Sequence, residues 1–223
     1  MRLPRPVSSF PPLFVAGALL AACVLTPSGR AQDAPASADR ASVTAALDEL
    51  RTVPRRVHVL GYSREHFGGW SQQYGDGVGC STRHLVLLDA FADHSPGTPG
   101  SCPVATGETT DVYTGGPLSP GDVEIDHVVP LSAAWDHGAW GWERSTRVAF
   151  ANDREVNLLA VSGAANQAKS DGTLGEWLPQ TAKAGSLSGA GCAYAARYLV
   201  VSLTYRLTVS AAAADAARRV CGL

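Results

Sequence analysis

Two short β-branched runs, and the segment that follows the second, constrain this chain more than anything else in it. Val123-Glu124-Ile125-Asp126-His127-Val128-Val129-Pro130-Leu131 reads as a strand brought to a close by a proline, and Asn157-Leu158-Leu159-Ala160-Val161 as a second strand. Asn166-Gln167-Ala168-Lys169-Ser170-Asp171 then opens what reads as a helix bearing a neutral oxygen donor and a cation. The insert from Ser132 to Val156 is long for a hairpin connection and should hold structure of its own. Two short helices fit it, Ala133 to Trp140 and Trp142 to Phe150.

The remaining segments predict a mixed α+β domain. Ser42 can cap a helix over Val43 to Leu50, which Pro54 ends. Val57 to Leu60 and Thr82 to Leu88 read as strands, Val112-Tyr113-Thr114 as an edge strand, and Asp93 to Gly107 as a loop. Cys192 to Leu207 and Ser210 to Val220 read as two helices that pack through Tyr194, Tyr198, Val201, Val209 and Val220. A length of 223 residues with 45% hydrophobic composition suits one domain with a real core. It excludes a disordered chain.

Arg2 and Arg5 precede the apolar run Leu13 to Ala22, which is short for a membrane span and has the form of a signal-peptide core. Residues 1–31 are therefore read as a signal peptide, 32–40 as a linker rich in Ala, Pro, Ser and Asp, and 41–223 as the domain, with its chemistry within about 122–171. Two processing outcomes compete. Cleavage after Ala31 frees the protein, whereas Leu20-Ala21-Ala22-Cys23 resembles a lipobox, which would leave a lipid anchor on Cys23 at the cell surface. Loss of residues 1–31 removes Arg2, Arg5 and Arg30 and no acid, leaving 15 basic against 20 acidic residues and a net charge of −5. Any nucleic acid must then be held by a local basic patch, in a salt-sensitive way.

Four cysteines remain, Cys80, Cys102, Cys192 and Cys221, an even set without metal-type C-x-x-C spacing. Disulfides agree with export. Three connectivities exist, and the favoured one joins Cys80 to Cys102 and Cys192 to Cys221, closing local loops of ~22 to 30 residues worth on the order of 3 kcal/mol each.

Phosphodiester hydrolysis needs a water deprotonated and aimed, and charge neutralised on the phosphate and the leaving oxygen. His127 is the natural base, Asp126 supplies a hard anionic oxygen and Asn166 a neutral one. A divalent cation with two protein ligands keeps its other positions for water and phosphate, which favours Mg²⁺, with Mn²⁺ second. Neighbouring side chains on a regular strand point to opposite faces, so Asp126 and His127 share a site only where the strand bends or ends.

Asp126-His127-Val128-Val129-Pro130, Asn157 and Asn166-x-x-Lys169 resemble the HNH, or ββα-metal, endonuclease signature in its His-Asn-Asn form. The similarity is greatest to HNH domains of secreted proteins and of the C-terminal end of GmrSD-type nucleases. It extends through Gly61-Tyr62-Ser63-Arg64, Cys80-Ser81-Thr82-Arg83, Ala134-Trp135, Phe150-Ala151-Asn152-Asp153 and Trp177-Leu178-Pro179, roughly Gly61 to Cys221. The resemblance implies a ββα-metal core with a helical insert and C-terminal helices. It also implies His127 as general base, Asp126 and Asn166 as metal ligands, and Asn157 as the brace of the hairpin.

Lys169, one turn after Asn166, and Arg83 are candidates for contact with phosphate, and Glu124 for a supporting role beside Asp126. Arg144, Arg147 and Arg154 read as a surface helix face. His58, His66, His84, His94 and His137 have no ligand spacing and read as surface residues, while Trp135, Trp140 and Trp142 read as core. The expected activity is metal-dependent endonucleolytic hydrolysis, with DNA favoured over RNA and a monomer as the default state. Two other readings stay open: a non-catalytic interaction protein on the same scaffold, and an exported metal-dependent hydrolase of another class.

Overall fold

The structure, a computed structural model, describes residues 33–75, 78–91, 95–96, 102, 104–183 and 189–223. The expected signal segment, Cys23 and most of the 93–107 loop lie outside these residues. The chain opens with α1 (Asp33–Glu49), then β1 (Thr52–Val53), the hairpin β2 (Gln72–Gly75) and β3 (Val78–Ser81), and α2 (Thr82–Ala90). Short strands follow: β4 (Ser95–Pro96), β5 (Val104–Thr106), β6 (Thr109–Thr110) and β7 (Pro117–Leu118). The motif segment gives β8 (Val123–His127), α3 (Leu131–Asp136), α4 (Arg144–Ala151), β9 (Leu158–Ser162) and α5 (Gly163–Lys169). After α6 (Gln180–Lys183), the chain ends in α7 (Ala190–Thr204), β10 (Val209–Ser210) and α8 (Ala211–Cys221). The architecture is α+β, as expected, with five two-stranded sheets among the described residues.

The hairpin of β8 and β9 is the centre of this arrangement. Its antiparallel register sets Asp126 opposite Leu159 and His127 opposite Leu158. Alternation along the strands divides the two faces between two hydrophobic clusters. Val123, Ile125 and Leu158 pack with Val86, Leu87 and Phe91 around α2, whereas Val161, with Val128 and Val129, joins the larger core of α1, α7 and α8. α5 follows β9 without a loop, capped by Ser162, whose Oγ accepts from the Ala165 N–H at 3.3 Å. Both favoured disulfides are present, Cys80–Cys102 and Cys192–Cys221, the second tying α7 to α8.

Four local expectations differ from the structure. The 32–40 stretch is helical from Asp33, because Pro35 sits in the first turn, where no N–H donor is needed, and the helix continues to the inner face of Val43, Ala46 and Leu50 against α7. Thr82 to Leu88 is helix, not strand: Ser81 accepts from the His84 N–H and caps it, and Val86 and Leu87 form its buried side. Val112 to Thr114 is a turn, since the buried Asp111 carboxylate accepts from the Tyr113 N–H and the Thr114 hydroxyl. Val57 to Leu60 pairs with no strand among the described residues; the Val59 N–H donates to Asp136 Oδ1 at 2.8 Å instead.

Candidate active site

Asp126 and His127 face opposite sides of the hairpin, as consecutive strand residues must, yet both border one cleft because β8 ends at His127. The cleft has a volume of about 710 Å³ and is also lined by Asn166 from α5, Ser132 and Asp136 from the insert, and Arg56 and Arg64 from the segment after β1.

On the α2 side, His127 is 7% exposed and its Nε2 lies 2.9 Å from the Ala151 carbonyl oxygen. A carbonyl only accepts, so Nε2 carries the proton and Nδ1 keeps its lone pair. The Trp70 ring is stacked on the imidazole, with centroids 5.9 Å apart and planes within 2°, which fixes the ring plane. Burial, reinforced by Arg64 and Lys169 and opposed by the Ala151 bond, lowers the His127 pKa to about 4. At neutral pH the residue is an uncharged base held in one tautomer.

Asp126, on the other side, is 6% exposed and held from below. Lys169 Nζ stands 3.0 Å from Oδ1 and 2.8 Å from Oδ2, and the Tyr113 hydroxyl donates to Oδ2 at 2.5 Å. Lys169 also donates to the His127 carbonyl oxygen at 2.7 Å. It is thus a buried cation under the site, not one reaching out to phosphate; burial pulls its pKa down, and Asp126 opposes that pull.

Asn166 is oriented by Glu124. Its Nδ2 donates to Glu124 Oε2 at 2.8 Å, which leaves Oδ1 for another partner. Gln167 donates to the second Glu124 oxygen at 3.3 Å. Gly163 lies against this carboxylate, and a Cβ there would stand 3.0 Å from Glu124 Oε1. Asn157, fully buried, stitches the hairpin to the insert: Oδ1 accepts from the Val129 N–H at 3.0 Å, Nδ2 donates to the Phe150 carbonyl at 3.2 Å, and its own carbonyl accepts from Val128.

Arg56 went unnoticed in the sequence and is the hub of the opposite wall. It donates to Asp136 Oδ2 at 2.7 Å, Asp171 Oδ2 at 3.0 Å, the Asp171 carbonyl at 2.9 Å and Ser132 Oγ at 3.3 Å. No local signal marks it, since its partners lie 76 to 115 residues away. Arg64 is exposed, lines the cleft, and has no side-chain hydrogen-bond or ion-pair partner among the described residues. Arg83 lies half-buried on α2 and is not among the residues lining the cleft.

Other side chains depart from expectation. His137 is buried, with Nδ1 2.9 Å from Thr208 Oγ1. Arg147 is a structural residue, donating to the carbonyls of His66, Ala139 and Trp142 and lying over the Trp135 ring. Trp140, in contrast to Trp135 and Trp142, is exposed.

The donor set can be tested against a divalent cation. No cluster of three or more His, Cys, Asp or Glu able to hold a metal occurs among the described residues. At the hairpin the cleft offers the Asp126 carboxylate, paired with Lys169, and the Asn166 amide oxygen, while Asp136 and Asp171 on the opposite wall are paired with Arg56. That set fits a hard cation which keeps most of its water and shares a phosphate, as Mg²⁺ does, and not a soft or fully caged one.

Residues 82–219 match the family of GmrSD restriction endonucleases, C-terminal domain, and the chain belongs to that family. It is also similar to an uncharacterized secreted protein of Arthroderma benhamiae, with 35% identity over 180 residues that cover 80% of this chain and 83% of that one. No solved structure matches the chain. None of the described helices is long and apolar enough to cross a membrane.

Proposed function

We propose that this chain is an exported, metal-dependent endonuclease of the ββα-metal type that hydrolyses phosphodiester bonds in nucleic acid, DNA before RNA. One observation carries the reading: a neutral imidazole with its proton committed to the Ala151 carbonyl and its Nδ1 without a hydrogen-bond partner among the described residues, at the rim of a cleft that Asp126 and Asn166 also line. His127 Nδ1 takes a proton from the attacking water, and the imidazolium so formed keeps the Ala151 carbonyl as its partner. Trp70 holds the ring in plane while this happens.

Asp126 and Asn166 Oδ1 are the groups that would hold Mg²⁺ or Mn²⁺. When bound there, the cation neutralises charge on the phosphate and on the leaving oxygen. Lys169 and Tyr113 position Asp126, Glu124 positions Asn166, and Asn157 keeps the hairpin in register with the insert. Among the described residues Arg64 is the cleft-lining cation without an ion-pair partner, and it is the group that meets a phosphate. Export is supported by the signal-like leader, the paired cysteines and the secreted relative.

Supercoiled plasmid incubated with the oxidised mature protein and Mg²⁺ or Mn²⁺ should be nicked, and a chelator should stop it. Intact plasmid under every metal would overturn the assignment in favour of a non-catalytic scaffold.

A further inference from the structure

Behind the wall of the cleft lies a second depression of about 400 Å³. Trp140, 57% exposed, stands on its rim in a 3-10 turn over Ala139–Gly141, and Val57, 60% exposed, and Pro54 make the facing apolar wall. Arg51 and Arg55 line it too, and neither side chain has a hydrogen-bond or ion-pair partner among the described residues. An exposed indole beside two uncommitted guanidinium groups is matched by a planar aromatic that carries a negative charge.

The two depressions adjoin. Along the segment between them, Val53, Pro54, Arg55 and Val57 border the second depression, while Arg56, His58 and Val59 border the cleft. Asp136 lines both. The span from Leu50 to Arg64 holds four arginines and no acid, in a chain whose expected mature form is acidic. Arg56 is spent on Asp136 and Asp171, so Arg51, Arg55 and Arg64 are the charges left to attract a polyanion, and they occur on both sides of the ridge. This is the local patch that the overall charge demands.

We propose that the second depression is a nucleotide subsite. It takes an unpaired nucleotide flanking the one in the cleft, with the base stacked on Trp140 and its phosphate met by Arg55. The proposal rests on the nuclease reading of the cleft. Stacking is indifferent to base identity, so the subsite favours single-stranded or frayed substrates without reading their sequence.

The test is binding of a labelled single-stranded oligonucleotide to the oxidised protein in chelator, so that no cleavage intervenes, alongside metal-dependent hydrolysis of bis(p-nitrophenyl) phosphate, which fills the cleft alone. Trp140→Ala should weaken oligonucleotide binding about tenfold and Trp140→Tyr should retain most of it. Arg55→Ala should weaken binding and reduce the salt dependence by about one phosphate contact. Hydrolysis of the small diester should be unchanged in all three variants. Wild-type affinity in Trp140→Ala, with wild-type cleavage of plasmid, overturns the subsite and leaves the cleft reading standing. An equal loss of affinity for blunt duplex, or a loss on the small diester, also overturns it. A wild-type protein that neither binds nor cleaves nucleic acid removes both readings together.

Discussion

Lys169 Nζ lies 2.8 Å from Asp126 Oδ2, and both side chains are almost wholly buried. A buried pair of this kind contributes little against an apolar alternative, but removing one partner strands the other charge. Lys169→Ala should therefore destabilise the protein by about 3–5 kcal/mol, read as a lower urea midpoint. Lys169→Met combined with Asp126→Asn should recover much of that stability without activity. A double variant no more stable than the single one would refute the stranded-charge account.

His127→Ala should lower plasmid cleavage by at least about a hundredfold while near-UV circular dichroism stays native. Cleavage at the wild-type rate would remove His127 from the chemistry.

Glu124 reaches the candidate metal ligands through its hydrogen bond with Asn166. Glu124→Ala should raise the Mg²⁺ concentration needed for half-maximal cleavage by about tenfold, as loss of an outer partner commonly does. Saturating Mg²⁺ should restore most of the rate. A rate deficit that no amount of Mg²⁺ repairs would argue for a different role.

His137 links the fold to pH. Burial, with Arg56 adding to it, holds its imidazole below its ordinary pKa. The unfolded chain binds a proton near pH 6.5, whereas the folded chain resists until lower pH. Its contribution is complete above about pH 6.5 and is lost as pH falls through the folded value. The urea midpoint should therefore drop between pH 7.5 and pH 5, and His137→Gln should show a smaller drop. Equal drops in the two proteins would assign the effect elsewhere.

The Cys192–Cys221 bridge spans 29 residues and fastens α7 to α8. Replacing both cysteines by serine should cost about 3 kcal/mol, seen as a reduced thermal midpoint under non-reducing conditions. An unchanged midpoint would mean that helix packing alone sets stability there.

The helices were legible where periodicity is long: the insert and the tail fell close to α3, α4, α7 and α8 because apolar residues recur at helical spacing. α2 reads as a strand because its apolar run Leu85 to Leu88 has no clear period, and the deciding signal is a single cap, Ser81. The candidate residues of the hairpin and α5 were readable since they sit within a short span of sequence. Arg56, Tyr113 and Trp70 were not, because each reaches the site from an element whose own sequence gives no hint of its destination. The sequence reads His137 as a surface residue and Lys169 as a phosphate contact, since polarity alone does not reveal a partner supplied from elsewhere in the fold.

The segment from Thr52 to Arg64 lies upstream of the family match, which begins at residue 82, yet β1 pairs in parallel with β10, and Arg56 bolts the far wall of the cleft to Asp136 and Asp171. The portable unit is therefore larger than the stretch the family shares. A protein cut at residue 82 would keep Asp126, His127 and Asn166 while losing seven of the eighteen residues that line the cleft and baring the side of α7 that α1 covers. Such a fragment would carry the signature of the family in a cleft laid open on the side that Arg56, Tyr62 and Arg64 line.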